Sequence, residues 1–307
     1  MSKADLRRKW FDGSFRAAYY CAVITGNLTI SIDLELAWGN WDNLESHHID
    51  HVERLERPIT SRLIKLFDRH EVPVTWAFVA ALLDPRSARG RPGEERLWYA
   101  PDVIEMINKA SVRHDLGSHG GHHRYFDELT IDEADEELAF AKSIHQRHGL
   151  SFESFVFPRN KVAKTHLLEK HGLRVFRGED SAWHQRIRTV FAPAGRAANF
   201  VDKTIPIAPE TVLPKHVDGL MNVPGSLLFF GRQGLRRFLP DGIMRRKLGK
   251  GLEAAATHGR IFHLWFHPSN FWHEPETQFA LFESFIAEAA HWRDRGALII
   301  NPMAAFA

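Results

Sequence analysis

Cysteine is almost missing from the chain. A single thiol, Cys21, in 307 residues excludes any internal disulfide and any Cys-X-X-Cys metal site. Nothing therefore requires an oxidising compartment. No apolar run reaches the ~18 residues of a membrane-spanning helix. The basic N-terminal stretch through Arg16 is interrupted by Asp12 and Gly13, and the apolar run from Ala17 to Thr25 that follows has no small-residue cleavage pattern. No signal peptide is read there, and the cytoplasm is the expected location. An excess of one charge is absent as well: 40 Lys and Arg against 38 Asp and Glu leave +2, too near balance for a protein whose main partner is nucleic acid. Repeats and low-complexity tracts are lacking, which excludes solenoids. With 44% hydrophobic residues the chain can bury a sizeable core as two modest domains or one large barrel.

Histidine is plentiful, with 19 residues. Whether they fall at ligand spacing depends on the order of elements. Leu28 to Asp33 is a β-rich run, and Ile49 to His70 carries apolar residues near helical period. Val72 to Val79 reads as a strand, Pro101 to Ala110 as a helix, and a short strand ends at Leu116. A helix over Ile131 to His148 has an acid-rich first turn, and Phe155 to Phe157 is a strand. Lys164 to His171 is a helix stopped by Gly172, followed by a strand over Leu173 to Phe176. Strands Ile261–Phe266 and Leu298–Ile300 flank a helix over Gln278 to Arg295. Strands alternating with helices predict parallel pairing, because no tight hairpin joins parallel neighbours. The expectation is one α/β barrel-like domain over 1–307, with an N-terminal extension at 1–27 and an irregular insertion at 184–245.

In parallel α/β folds ligands sit at the carboxyl ends of strands. Asp33 and Glu35, two apart at the end of the first strand, point to one side of an extended chain. Buried acids there need a cation, whereas exposed ones would be merely solvated. His119 and His123, four apart in Ser118-His-Gly-Gly-His-His123, have the spacing of a common metal-binding pair, or are surface histidines in a loop. Joined to a carboxylate they make the ligand mix of catalytic zinc, three protein groups with an open position. Arg159 follows the strand ending at Phe157 and could clamp a carboxylate. His267 ends the strand Ile261–Phe266, and His263 within it reads as a satisfied core residue.

In order, these runs resemble the five motifs of the polysaccharide deacetylase family, also called the NodB homology or carbohydrate esterase family 4 group. Ser31-Ile-Asp33-Leu-Glu35 is a variant of its first motif, with acids two apart. Val72-Pro-Val-Thr-Trp-Ala-Phe78 is similar to its second-strand pattern, and His114-Asp-Leu-Gly-Ser-His119-Gly-Gly-His122-His123 resembles its metal motif. Phe157-Pro158-Arg159-Asn160 stands at the arginine-proline motif, Gly178-Glu-Asp180-Ser-Ala-Trp183 is similar to the fourth, and Leu264-Trp-Phe-His267 matches the last. The resemblance implies a distorted, seven-stranded parallel (β/α) barrel and metal-dependent hydrolysis of an N- or O-acetyl group on a sugar. A bacterial surface polysaccharide or its precursor is the implied substrate, with lipopolysaccharide biosynthesis one setting. It implies Asp33 as general base, Glu35, His119 and His123 as ligands of a divalent metal, zinc by expectation, Arg159 as the partner of Asp33, and His267 as general acid oriented by Asp180. The reverse assignment, with Asp33 on the metal and Glu35 as base, stays open.

Other features have two readings each. His47, His48 and His51 could hold a second metal or be solvated. Trp38 and Trp41 could stack on a sugar or pack in the core. From Gly231 to Gly251, seven Lys and Arg stand against one acid, Asp241, with apolar residues between. This stretch could meet an anionic membrane or a lipid-linked substrate, or be a solvated basic face. Rival functions are a metal-independent amidohydrolase of the allantoinase-like branch and a non-catalytic carbohydrate-binding barrel.

Overall fold

The computed structural model describes residues 25–88, 92–180 and 205–307. Cys21, most of the expected N-terminal extension and residues 184–204 of the expected insertion lie outside them.

One curled sheet organises these residues. Its strands are β1 (Gly26–Leu34), β2 (Thr75–Phe78), β3 (Asp115–Ser118), β4 (Ser154–Val156), β5 (Val175–Arg177), β6 (Lys215–Val217), β7 (Leu220–Asn222), β8 (Leu227–Leu228), β9 (Ile261–Phe266) and β10 (Leu298–Ile300). The spatial order is β6-β7-β5-β4-β3-β2-β1-β9-β8, and β10 pairs with β1 beside β2. Seven parallel neighbours, from β5 through β1 to β8, form the wall that holds the site, as the alternation of strands and helices predicts. Only β6 runs antiparallel, in a hairpin with β7. The curl is a half-barrel: among the described residues its first and last strands do not pair with each other.

Helices α1 (Ser46–His51) and α2 (Arg57–His70) are joined by a π-turn at Val52–Glu56. Then come α3 (Glu95–Trp98), α4 (Pro101–Asn108), α5 (Ile131–Arg147), α6 (Thr165–His171), α7 (Asp241–His258) and α8 (Pro275–Asp294). Capping sets the start of α5: Thr130 Oγ1 accepts from the Glu133 N–H at 3.2 Å, and Glu133 Oε2 accepts from the Thr130 N–H at 2.8 Å.

The alternation of β1 explains where chemistry can occur. Leu28, Ile30, Ile32 and Leu34 face the helical layer and join its apolar core, together with Phe262, Leu264 and Phe266 of β9. Thr29, Ser31 and Asp33 are buried on the opposite, inner face. The inner face of the curl therefore carries polar groups, and those at the carboxyl ends of the strands open into the site.

The stretch expected to be an irregular insertion supplies β6, β7 and β8 to the sheet. These strands are two or three residues long, too short to show a period of two. The turn between β6 and β7 is Asp218-Gly219, both with positive φ (48° and 77°), as a two-residue hairpin of the I′ type requires.

Candidate active site

At the carboxyl end of β1, Asp33 is buried against Arg177, which ends β5 and has no exposed surface. Arg177 Nη1 and Nη2 donate to Asp33 Oδ1 and Oδ2, both at 2.7 Å. Nη1 also donates to Ser31 Oγ at 2.9 Å, and Nε and Nη2 reach Asn160 Oδ1 at 3.2 and 2.8 Å. All five guanidinium hydrogens are thus engaged. The Trp265 ring lies 4.4 Å from Cζ. Burial alone would raise the Asp33 pKa, but the charge and hydrogen bonds of Arg177, with the charge of His267, outweigh it and hold the group below the usual carboxylate value.

The partner of Asp33 is therefore not Arg159. Arg159 donates from Nη2 to Asp42 at 3.0 Å, lies over the Tyr125 ring and is half exposed. Its left-handed backbone (φ 51°), shared with Asn160 (φ 53°), turns the neighbouring Asn160 amide inward instead. Arg177 escaped the sequence reading because an arginine at a strand end normally reads as solvated. Its signal was position, at the carboxyl end of a strand adjoining the one that ends at Val156.

Glu35 Oε1 lies 3.0 Å from His119 Nε2 and 2.9 Å from His123 Nε2. Both imidazoles are buried, and the three side chains form a group that could hold a metal ion. The tautomer of His119 tests the fit. Its Nδ1 faces the Val156 carbonyl at 2.8 Å, which can only accept, so a neutral ring presents the Nε2 lone pair to Glu35. Two acceptors then confront each other, and a divalent cation between them relieves that contact while drawing on His123. A backbone carbonyl that orients a ligand histidine is a common feature of metal sites.

His267, at the end of β9, places Nε2 3.4 Å from Glu35 Oε1 and 3.6 Å from Asp33 Oδ2. Burial disfavours its charged ring, yet the charge and hydrogen bond of Glu35 and the charge of Asp33 raise its pKa to about 9. Asp180 does not meet it. Half-buried Asp180 stands instead beside Trp265 and Arg177, with its pKa pushed up by desolvation to about 6. His122 anchors the loop: its N–H and its Nδ1 both bond Glu137 at 2.8 Å, and its ring stacks on Phe140. His263 is buried with Nε2 on Ser31 Oγ at 2.9 Å and Nδ1 on the Val223 carbonyl at 3.1 Å, as a satisfied core histidine. A further buried acid, Glu56, sits on the π-turn near these groups, its pKa raised to about 8 by burial and by the charge of Glu35.

A pocket of about 310 Å³ opens over Asp33, Glu35 and His267, with Asn40, Arg159 and Trp265 in its walls. Trp41 is half-buried nearby, donating to the His123 carbonyl at 3.2 Å, whereas Trp38 is fully buried edge-on to Trp98. Leu36 and His123 join Arg159 and Asn160 in left-handed backbone, so four of the eight non-glycine residues with positive φ among those described are at this site. Strain collected in one place is a mark of a functional region. In the basic stretch, Arg232 is paired with Asp241 and Glu274, Lys247 is buried, and Phe238 is 69% exposed.

Gly39 makes room for Glu35, since a Cβ there would stand 1.9 Å from Glu35 Oε2. Gly39→Ala is expected to displace the carboxylate and weaken metal affinity at least about tenfold, in the range of perturbed ligand support. Stability should change little, as the atom displaced ends a side chain. Metal titration with a thermal melt checks both.

No protein-family model matches the chain, and no curated protein sequence matches it significantly. Solved structures do. A protein of Mycobacterium smegmatis described as a polysaccharide deacetylase superposes with a TM-score of 0.63 at 15% identity, over 91% of this chain and 87% of that one. One from Pseudomonas aeruginosa PAO1, also described as a polysaccharide deacetylase, gives 0.60 at 14% over 92% and 91%. The Puue allantoinase gives 0.60 at 14% over 92% and 89%. At these identities the likeness is one of fold.

Proposed function

We propose, from a fold shared with polysaccharide deacetylases, that this chain is a metal-dependent hydrolase. It removes an acetyl group, N-acetyl favoured, from a sugar of a bacterial surface polysaccharide or its precursor. The observation that carries this reading is the convergence of Glu35, His119 and His123 beside a carboxylate locked by a fully engaged arginine.

Glu35, His119 and His123 would hold the cation, zinc by the nitrogen and oxygen character of the set. Bound there, it supplies a water acidified toward neutrality and a positive charge for the acetyl oxygen. Asp33, kept ionised by Arg177, accepts the proton of the attacking water. Arg177 also fixes the direction of that carboxylate, because both its oxygens are held. His267, charged at neutral pH, stands between the two acids and donates its Nε2 proton to the departing amine or alkoxide. Asn40 and Trp265 border the space left for the sugar.

Acetate release from a panel of acetylated sugars tests the activity, and elemental analysis tests the metal. The pair His119→Ala and His123→Ala is expected to strip the ion and abolish turnover; unchanged metal content would refute the ligand set. Turnover of a cyclic ureide by metal-stripped protein, with no acetate released from any sugar, would favour the allantoinase-like alternative. His267→Ala should slow poor leaving groups by about a hundredfold or more while sparing an activated acetate ester. Equal losses on both would remove it as the acid.

A further inference from the structure

We propose a second cation site, built by His47, His51 and His273 and separate from the Glu35–His119–His123 set, that takes a zinc-class transition-metal ion and ties α1 to the segment following His267. Three imidazoles from two elements meet here. His47 and His51 are four apart on α1, the spacing at which helical side chains meet on one face. Their ring centroids are 6.2 Å apart, and those of His51 and His273 are 5.3 Å apart. Two rings on one tetrahedral zinc, with Zn–N near 2.1 Å, lie about 5 Å apart. Rotation of the side chains from these positions would be needed to bring three nitrogens onto one ion.

Two observations favour a ligand over mere exposure. His51 Nδ1 is buried without a hydrogen-bond partner, under a ring stacked on Trp272 at 5.0 Å. His47 Nδ1 is held by Glu45 Oε2 at 3.2 Å, which leaves Nε2 as the free donor, the carboxylate–histidine arrangement that supports metal ligands. His48 is not a ligand: its Nδ1 accepts from the Glu45 N–H at 3.2 Å and caps α1. His273 is the member the sequence could not supply, more than 220 positions from the others and joined to them only by the fold. An imidazole-only set suits zinc, nickel, copper or cobalt and disfavours calcium and magnesium.

The test uses the full chain and zinc alone, buffered near 1 µM free ion so that only sites of about micromolar affinity or tighter fill. Wild type is expected to retain about two equivalents and His47→Ala/His273→Ala about one, with the zinc-induced rise in melting temperature reduced in the double variant. His119→Ala/His123→Ala should retain about one, at the histidine cluster. Should the proposed active-site ion not exist, wild type retains one equivalent that the His47/His273 pair abolishes and the His119/His123 pair does not, so the two failures are distinguishable. Stoichiometry and melting shift unchanged by His47→Ala/His273→Ala would overturn the site. These substitutions lie at the surface, and a cobalt titration read by its visible absorption on the same folded protein gives an independent count.

Discussion

Asp33→Asn is expected to keep its metal and lose activity by a factor of about a hundred or more, the scale of a positioned acid-base group. The amide can still accept one hydrogen bond from Arg177, but its NH2 group then faces a guanidinium N–H where Asp33 Oδ2 now accepts at 2.7 Å. The variant also leaves Arg177 buried without its counter-charge. Some stability is therefore lost, and a thermal melt and metal content measured on the same sample separate that loss from the chemical one. Full activity with metal retained would exclude Asp33 as the base.

Arg177→Gln is expected to cut activity about as deeply and to cost about 3–5 kcal/mol of stability, the usual result of breaking one half of a buried ion pair. Its pH signature has a definite sign. The Asp33 pKa in the folded protein is held below its ordinary 3.8, so its contribution is present above that value and disappears as pH falls through the lower folded value. Without Arg177, burial acts with less opposition and moves the Asp33 pKa upward. The acid limb of the pH–rate profile should shift to higher pH, and the variant should already be weakened near neutrality. An acid limb unmoved by the substitution would contradict Arg177 as the group that keeps Asp33 ionised.

The parts of the fold that the sequence made legible are those where burial imposes a pattern. β9 matches its expected bounds at Ile261–Phe266, and β1 extends its expected run by three residues, because both are buried along their length. Glu35, His119 and His123 could be singled out because each carries a metal-type side chain at a strand end, and the structure brings all three together. Long-range choices between like residues were not legible. Which arginine turns inward on Asp33 depends on the left-handed backbone at Arg159 and Asn160 and on the pairing of β4 with β5, neither of which has a local signature. Asp180, placed beside His267 by motif order, lies instead against Trp265 and Arg177. Glu56 did have a positional signal, an acid four residues after Val52 and three before Ile59, on the buried face of the helical period. The Asp218-Gly219 hairpin did have a signal, the Asp-Gly pair that suits a two-residue turn.

Crystals of the zinc-loaded protein, with anomalous scattering recorded at the zinc edge, test the central claim most directly. The expected result is a peak about 2.0–2.2 Å from His119 Nε2, His123 Nε2 and a Glu35 oxygen, with Asp33 still on Arg177. Zinc seated on Asp33 with Glu35 turned away, or those three side chains parted with no zinc between them, would contradict it.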